Sequence, residues 1–454
     1  MKKRRLSLVA LILILSLVMS ACVSGNNGNN GTGSNGSGGE NSTGNTSVGS
    51  DNGKIVEIRF PWWGSVARHE KYNQMMDMFE EKNPGIKVIR EPGSWDDYWS
   101  KIPTQTAGNN APDVLMYTTV GQMPEYADKG AVLALDDYIA DGTIDVSKVP
   151  PNIIELGKYK GKTYMITKGL AAISLTTNIG LLKEKGAPLP KEEYATWDEF
   201  IAYMKEIKPL LGKNENGGEI FPIEDDAQDD LLLESFLRLK GKNMFAEDGS
   251  GLGFAKEDLI EWFELWQSMK NEGLVPPAQI TAEEGALQWE QDMLATHRVI
   301  MSGRPGNHLK TIKNYMEDEL TIIRLPGGNG TFGEVLTGAF LGISAQSEHP
   351  EAVAKLINTW LNDLEFNQLY MNEHGIVQNT EILKQLEMNP YDEITTKNMQ
   401  AVIASTEPQS SRLPGVAGIF EQLGKSYEEV NFGVKSAEAA VDDFFAEAER
   451  IMNK

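Results

Sequence analysis

Ile55-Val56-Glu57-Ile58-Arg59-Phe60 alternates apolar with charged side chains, which puts Val56, Ile58 and Phe60 on one face of a strand. Tyr72, Met75, Met76 and Phe79 then fall at the spacing of one helical face, and Asn83-Pro84-Gly85 stops that helix. Ile86 to Ile89 reads as the next strand. Strand, helix and strand within about 35 residues make a βαβ unit, whose crossover implies a parallel pair. The fold class that follows is α/β.

Outward from this unit, Val114 to Tyr117 gives a further strand and Glu125 to Lys129 a short helix. The middle of the chain is mainly helical, with Leu232, Phe236 and Leu239 on one predicted helix. Trp262, Phe263, Trp266 and Met269 lie on another. Val299 to Met301, Ile322 to Leu325 and Phe340 to Ser344 read as strands, and Pro350 to Asn362 as a helix with Val353, Leu356, Ile357 and Trp360 on one side. Ser436 is placed to cap a last helix running to Met452. Alternating β and α elements around a helical middle, without internal repeats, fit two α/β lobes.

In the other direction, Lys2, Lys3, Arg4 and Arg5 precede an apolar run from Leu6 to Met19 and the small residues Ser20-Ala21. A basic head, a short apolar segment and small residues mark residues 1–21 as a secretory signal. Cys22 is the one cysteine in 454 residues, so internal disulfides and Cys-rich metal sites are excluded. Residues 22–53 are a Gly, Asn and Ser linker too poor in apolar side chains to fold. As a flexible coil the linker spans roughly 30 Å. Ser20-Ala21-Cys22 resembles the lipobox of bacterial lipoproteins, with Met19 where that family prefers Leu. The resemblance implies that Cys22 becomes an acylated first residue, holding the chain at the outer face of the cytoplasmic membrane. The remaining residues suffice for two cores. The formal charge of −23 becomes −27 once the four signal cations are removed. Such an excess argues against nucleic acid or anionic lipid headgroups as partners.

Several stretches together resemble the extracellular solute-binding proteins of bacterial ABC importers, in the family 1 cluster that binds sugars and oligosaccharides. They are Phe79 to Val88 (FEEKNPGIKV), Ala111-Pro112-Asp113-Val114, Thr177-Asn178 before Leu181-Leu182, and Thr196-Trp197-Asp198-Glu199-Phe200. Leu336 to Ser344 (LTGAFLGIS) and Ser347 to Ala352 complete the set, so the resemblance spans residues 54–454. It implies a two-lobed, periplasmic-binding-protein-like (type II) fold with discontinuous domains and an interlobe cleft. Lobe one is expected over 54–170 with 319–362 returning to it, and lobe two over 171–318 with 363–454. It further implies a monomeric receptor that captures a carbohydrate, closes by population shift and delivers its cargo to permease subunits, without cofactor or metal.

A sugar site needs aromatic plates for ring faces and polar groups for hydroxyls. Trp62 and Trp63 follow the first strand, where an α/β sheet opens onto its crevice, and the resemblance places this position at the cleft. Arg68 and His69 begin the next helix and are expected near the same crevice, as is Trp95. Tyr117 lies at the end of its strand and Asp113 at the start, where the family's Pro-Asp pair often supports a loop instead. From lobe two, Trp289, Arg304, Asn307 and Arg412 are the candidates, and Arg304 with Arg412 would accommodate an acidic sugar. Maltodextrin-binding members carry an acidic residue and Arg where this chain has Val120-Gly121, and a carboxylate where it has Ala171-Ala172, which argues against a maltodextrin. Trp197, Trp262, Trp266 and Trp360 fit helical core patterns. The Asp225-Asp226 run offers either acceptors for hydroxyls or a solvated turn, and Asn214 to Ile220 reads as a Gly-rich turn rather than a calcium loop.

Two rival functions follow different logic. A glycoside hydrolase needs two carboxylates across one cleft, and nothing in the residue context singles out a pair. The five His show no His-Glu-x-x-His pattern, and no Gly-x-Ser-x-Gly elbow occurs. A ligand-sensing subunit of a signalling system is the other alternative.

Overall fold

A computed structural model describes residues 55–118, 122–246, 250–284, 289–328, 331–406 and 416–453. Cys22, Val120-Gly121 and Arg412 lie outside the described residues. The strands, in chain order, are β1 Val56–Trp63, β2 Ile86–Gly93, β3 Val114–Thr118, β4 Lys158–Tyr159, β5 Lys162–Thr163 and β6 Ile166–Asn178. Then come β7 Phe221–Ile223, β8 Val299–Pro305, β9 Leu320–Ile323 and β10 Leu336–Ile343. Helix α1, Val66–Lys82, connects β1 to β2, which pair in parallel with Val56 opposite Ile86. The βαβ unit therefore forms as its periodicity predicts. Ser65 caps α1 by accepting from the Arg68 amide, and Tyr72, Met75, Met76 and Phe79 are its buried face.

The spine of the molecule is β6, thirteen residues of which every one is buried. Its first half, up to Ala172, pairs antiparallel with β10. From Ile173 it pairs with β8, and from Leu175 with β9 on the other side. One strand thus leaves one sheet environment and enters another, as a crossing strand must. The hydrophobic cores divide at the same place. One gathers Ile58 to Ala172 and Leu336 to Val402, and the other Ile173 to Val335 and Ile419 to Ala448. A small third core lies beneath the helix His308–Lys313.

These cores move two of the expected lobe boundaries. Residues 319–335 belong with lobe two, because β9 pairs the lobe-two half of β6 and Ile323, Leu325 and Val335 join its core. Residues 363–389 stay with lobe one. Asp363 caps a new helix, Leu364–Tyr370, by accepting from the Phe366 amide. Phe366 and Tyr370 of that helix pack their rings 5.1 and 5.6 Å from Trp360. The chain recrosses on the helix Pro390–Ser405, capped by Asn389. Met399 and Val402 of that helix join the lobe-one core, while Tyr391 and Ile394 pack on the small lobe-two core. No helix among the described residues is long and apolar enough to cross a membrane.

Candidate functional site

The strand ends and helix starts around the crossing strand enclose a cleft of about 970 Å3. Its lobe-one wall includes Trp63, Arg68, Glu70, Trp95 and His374, and its lobe-two wall Trp289, Glu290, Asn307, His308 and Tyr315. Ala171 and Gly338 form part of the floor. A volume of this size suits a small-molecule ligand in the general range of binding pockets.

Trp63 is the centre of an aromatic cluster. Trp95, Tyr98, Trp99 and His374 surround its ring at 5.1, 4.8, 5.6 and 5.6 Å between centroids. Tyr98 is pinned from behind by donating to the Met116 carbonyl at 2.7 Å. Trp95 is 49% exposed at the N-terminus of α2, Trp95–Ala107, so it offers a free ring face. Across the cleft Trp289 meets His308 edge to face at 5.2 Å. Aromatic surface therefore faces the cleft from both lobes.

Trp63, Arg68, Trp95, Trp289 and Asn307 are the sequence candidates that the structure brings together on the cleft lining. The others lie elsewhere. Trp62 shares the strand face of Val56, Ile58 and Phe60; it is fully buried and donates from Nε1 to His69 Nδ1 at 3.2 Å. His69 is thereby held on the core side of α1 rather than on the cleft lining. Asp113 supports a loop, accepting from the Arg59 amide at 2.7 Å and from Ser347 Oγ at 2.5 Å. Tyr117 is a core residue against Tyr126, because its side chain points into the sheet's packed face.

Arg304 is turned inward. Its guanidinium donates to Asp292 at 2.7 Å and to Ser302 Oγ, and lies 3.5 Å from Glu224. Ser302 in turn donates to Glu224 at 2.5 Å. Burial raises the Glu224 carboxyl above its usual range against the pull of Arg304. Arg304 so paired is not placed to meet an acidic sugar. Asp225 is buried and Asp226 half-buried: Asp225 accepts from Tyr427 and Asn431, and Asp226 from the Gly303 amide. Asn214 to Gly218 is a turn closed on the Asn214 side chain. Trp262, Trp266 and Trp360 are buried, and Trp197 packs against the lobe-two core.

On the lobe-one wall Arg68 donates to Glu373 at 2.9 Å, and Lys71 reaches the other carboxylate oxygen at 2.7 Å. Burial alone would raise the Glu373 carboxyl, but Arg68 and Lys71 outweigh it and hold it below its usual value. The Glu373 carbonyl also accepts from Asn307 Nδ2 at 3.3 Å, a contact between the two lobes. His308 is pushed down to about 3 by burial, with Arg304 and Arg68 adding to the shift, so it is a neutral imidazole in the physiological range. Sequence reasoning missed His308, His374, Glu70, Glu290 and Tyr315. A His two residues after Arg-Pro-Gly at a helix start was a usable signal for His308; nothing local marked His374.

A two-lobed α/β molecule with an aromatic and hydrogen-bonding cleft at its crossing strand is a receptor for a small solute. The chain belongs to the bacterial extracellular solute-binding proteins, whose family model matches residues 74–384. A putative binding protein of Brucella abortus is 28% identical over 211 residues, covering 45% of this chain and 48% of that protein. The chain thus aligns with about half the length of the curated relatives it matches. Among solved structures, an ABC substrate-binding protein from Listeria monocytogenes in complex with cycloalternan superposes with a TM-score of 0.75 at 20% identity, covering 88% of this chain and 100% of that one. A periplasmic oligogalacturonide binding protein from Yersinia enterocolitica, in complex with saturated digalacturonic acid, gives 0.75 at 20% identity, covering 88% and 99%. These likenesses establish the shared fold.

Proposed function

We propose that this protein captures a neutral oligosaccharide in the interlobe cleft and delivers it to the permease of an ABC importer. The observation that carries this reading is the pairing of aromatic surface on both walls, Trp63 and Trp95 facing Trp289, with neutral imidazoles and an amide between them. Sugar rings stack on such plates by their C–H faces, while hydroxyls take the polar groups. The ligands of the Listeria and Yersinia structures, both carbohydrates, support the class. A neutral sugar is favoured over a uronate because Arg68 and Arg304 are each engaged by a carboxylate of the protein, and exposed Glu70 and Glu290 stand on the two walls. Cys22 as an acylated anchor and residues 22–53 as a leash complete the proposal, keeping a mobile receptor beside its permease.

The test is thermal and chemical unfolding with a glycan panel: cycloalternan, digalacturonic acid, and linear tri- and tetrasaccharides of glucose, mannose and xylose. A bound glycan at a hundred times its dissociation constant adds about 2.7 kcal/mol. A neutral glycan should stabilise without being consumed. No shift across the panel would defeat the carbohydrate assignment, a shift only with digalacturonic acid would reverse the charge preference, and product formation would restore the hydrolase. Trp95→Ala should weaken the binding about tenfold with little loss of stability, since half of this side chain is already exposed.

A further inference from the structure

Behind the lobe-one wall lies a buried lysine with no carboxylate in contact among the described residues. Lys168, near the start of β6, is 2% exposed. Its Nζ donates to the Tyr72 hydroxyl and lies 2.7 Å from His374 Nδ1. It also sits 4.6 Å from the centre of the Tyr72 ring, 4.7 Å from that of Trp360 and 5.8 Å from that of Tyr370. Ring faces favour a cation at Nζ and work against the burial that pushes the Lys168 ammonium well below its ordinary value. The Tyr72 hydroxyl is itself 2.6 Å from His374 Nδ1. With the Tyr72 oxygen accepting from Lys168, the hydroxyl's own proton is left to point at Nδ1; Nδ1 as the acceptor puts the ring proton on Nε2.

His374 Nε2 is buried and has no hydrogen-bond partner among the described residues, yet the residue lines the cleft beside Trp63. Buried donors ordinarily find partners, so an orphan at the edge of an open cleft points to a partner that arrives with the ligand. The backbone is built to hold this ring in place. Leu170 and Ile376 exchange hydrogen bonds at 3.1 and 2.7 Å, laying the His374 loop onto β6. Gly169 permits the approach: a Cβ there would lie 2.3 Å from the Tyr370 hydroxyl and 2.8 Å from the His374 carbonyl. Tyr370 in turn accepts from the His374 amide at 3.1 Å. Burial, reinforced by Arg68 and Lys168, holds the imidazole well below its usual basicity, in keeping with a neutral ring.

We propose that His374 presents Nε2–H to the captured ligand as a fixed hydrogen-bond donor, with Lys168 and Tyr72 as the positioning residues that set its tautomer. The proposal rests on the reading of this cleft as the capture site and assigns to it a donor that selects for an acceptor oxygen, hydroxyl or ring ether, beside the Trp63 plate.

The tautomer can be read without any ligand. In 15N-histidine-labelled protein, with the His374 signals assigned from the His374→Gln variant, Nδ1 should be pyridine-like and Nε2 pyrrole-like. Lys168→Met combined with Tyr72→Phe should release the ring into mixed tautomers. In the second arm, the panel glycan with the largest stabilising shift is titrated into two variants. His374→Gln puts an amide donor near the Nε2 position and should bind within about threefold of the parent; His374→Asn reaches only the Nδ1 position and should lose about tenfold or more. A proton on Nδ1, a doubly protonated ring, or equal losses for the two variants would overturn the proposal. A panel that shifts nothing defeats the carbohydrate reading, and the tautomer spectrum then decides this proposal by itself.

Discussion

Two guanidiniums, Arg68 on the lobe-one lining and Arg304 turned inward behind the lobe-two lining, have their charge balanced in opposite ways. On the lobe-one wall two cations, Arg68 and Lys71, share the single carboxylate of Glu373. Behind the lobe-two wall one cation, Arg304, lies between Asp292 and Glu224. Burial pushes the Lys168 ammonium well below its ordinary value in lobe one, and raises Glu224 and Asp226 in lobe two. The difference is in redundancy, since only the lobe-one carboxylate keeps a second cation if the arginine is removed.

Redundancy predicts the largest effect. Arg304→Met strips the ion-paired cation from two buried carboxylates and should cost about 3 kcal/mol or more in chemical denaturation. Arg68→Met leaves Lys71 on Glu373 at 2.7 Å and should cost about 1 kcal/mol. Equal losses would show that the two walls are built alike after all.

Titration offers a second way to break the comparison. His308 is pushed down to about 3 from an ordinary value of 6.5, chiefly by burial. A depressed folded-state value means that the unfolded chain takes up a proton first. The stability is therefore fully present above pH 6.5 and lost as pH falls toward 3. After allowance for cleft water, about 2 kcal/mol should disappear by pH 4. His308→Asn should flatten that acid limb relative to the parent. His297, raised above 6.5 by Asp318 and Glu215 in spite of burial, works the other way. Its contribution is present below 6.5 and fades as pH climbs through the raised value, so His297→Asn should lower stability below pH 6.5 and leave it nearly unchanged above the raised value. An acid limb unchanged by His308→Asn would mean that this imidazole is not shielded.

What the sequence made legible follows from distance along the chain. The βαβ unit, the cap at Ser436 and the helix Pro350–Asn362 depend on neighbours a few residues away, and they form where the local pattern placed them. Strand parity was available too: Trp62 shares the face of Ile58 and Phe60, so it belonged in the core, whereas Trp63 points the other way, into the aromatic cluster that borders the cleft. Arg304 looked free because Asp292 and Glu224, its partners, lie 12 and 80 positions away. His374 and Lys168 are 206 residues apart and meet only because Leu170 pairs with Ile376. The one local hint was a lysine in an otherwise uncharged strand from Ile166 to Asn178. The last crossing falls later than expected for a similar reason. Asp363 reads as an ending after Asn362, but its carboxylate starts the next helix, whose burial against Trp360 is a tertiary matter.

The smallest expected effect tests where the walls meet. Asn307 Nδ2 donates across the lobes to the Glu373 carbonyl at 3.3 Å, the same carbonyl that accepts from Arg68 Nη2 at 3.3 Å. One neutral hydrogen bond is worth about 0.5–1.5 kcal/mol net, a shift of about two- to tenfold between open and closed populations. Affinity alone would not isolate it, because Asn307 also lines the cleft and its loss could remove a ligand contact. The unliganded molecule gives the cleaner measurement. If the contact biases the hinge, Asn307→Ala should enlarge the radius of gyration in small-angle X-ray scattering before any glycan is added. Saturating glycan should then restore the compact form, since a ligand touching both walls favours closure by its own differential affinity. Identical scattering from parent and variant would place the hinge equilibrium elsewhere, in β6 and the Pro390–Ser405 helix, whose Asn398 accepts from Ser174 at 2.9 Å in the interior of the crossing.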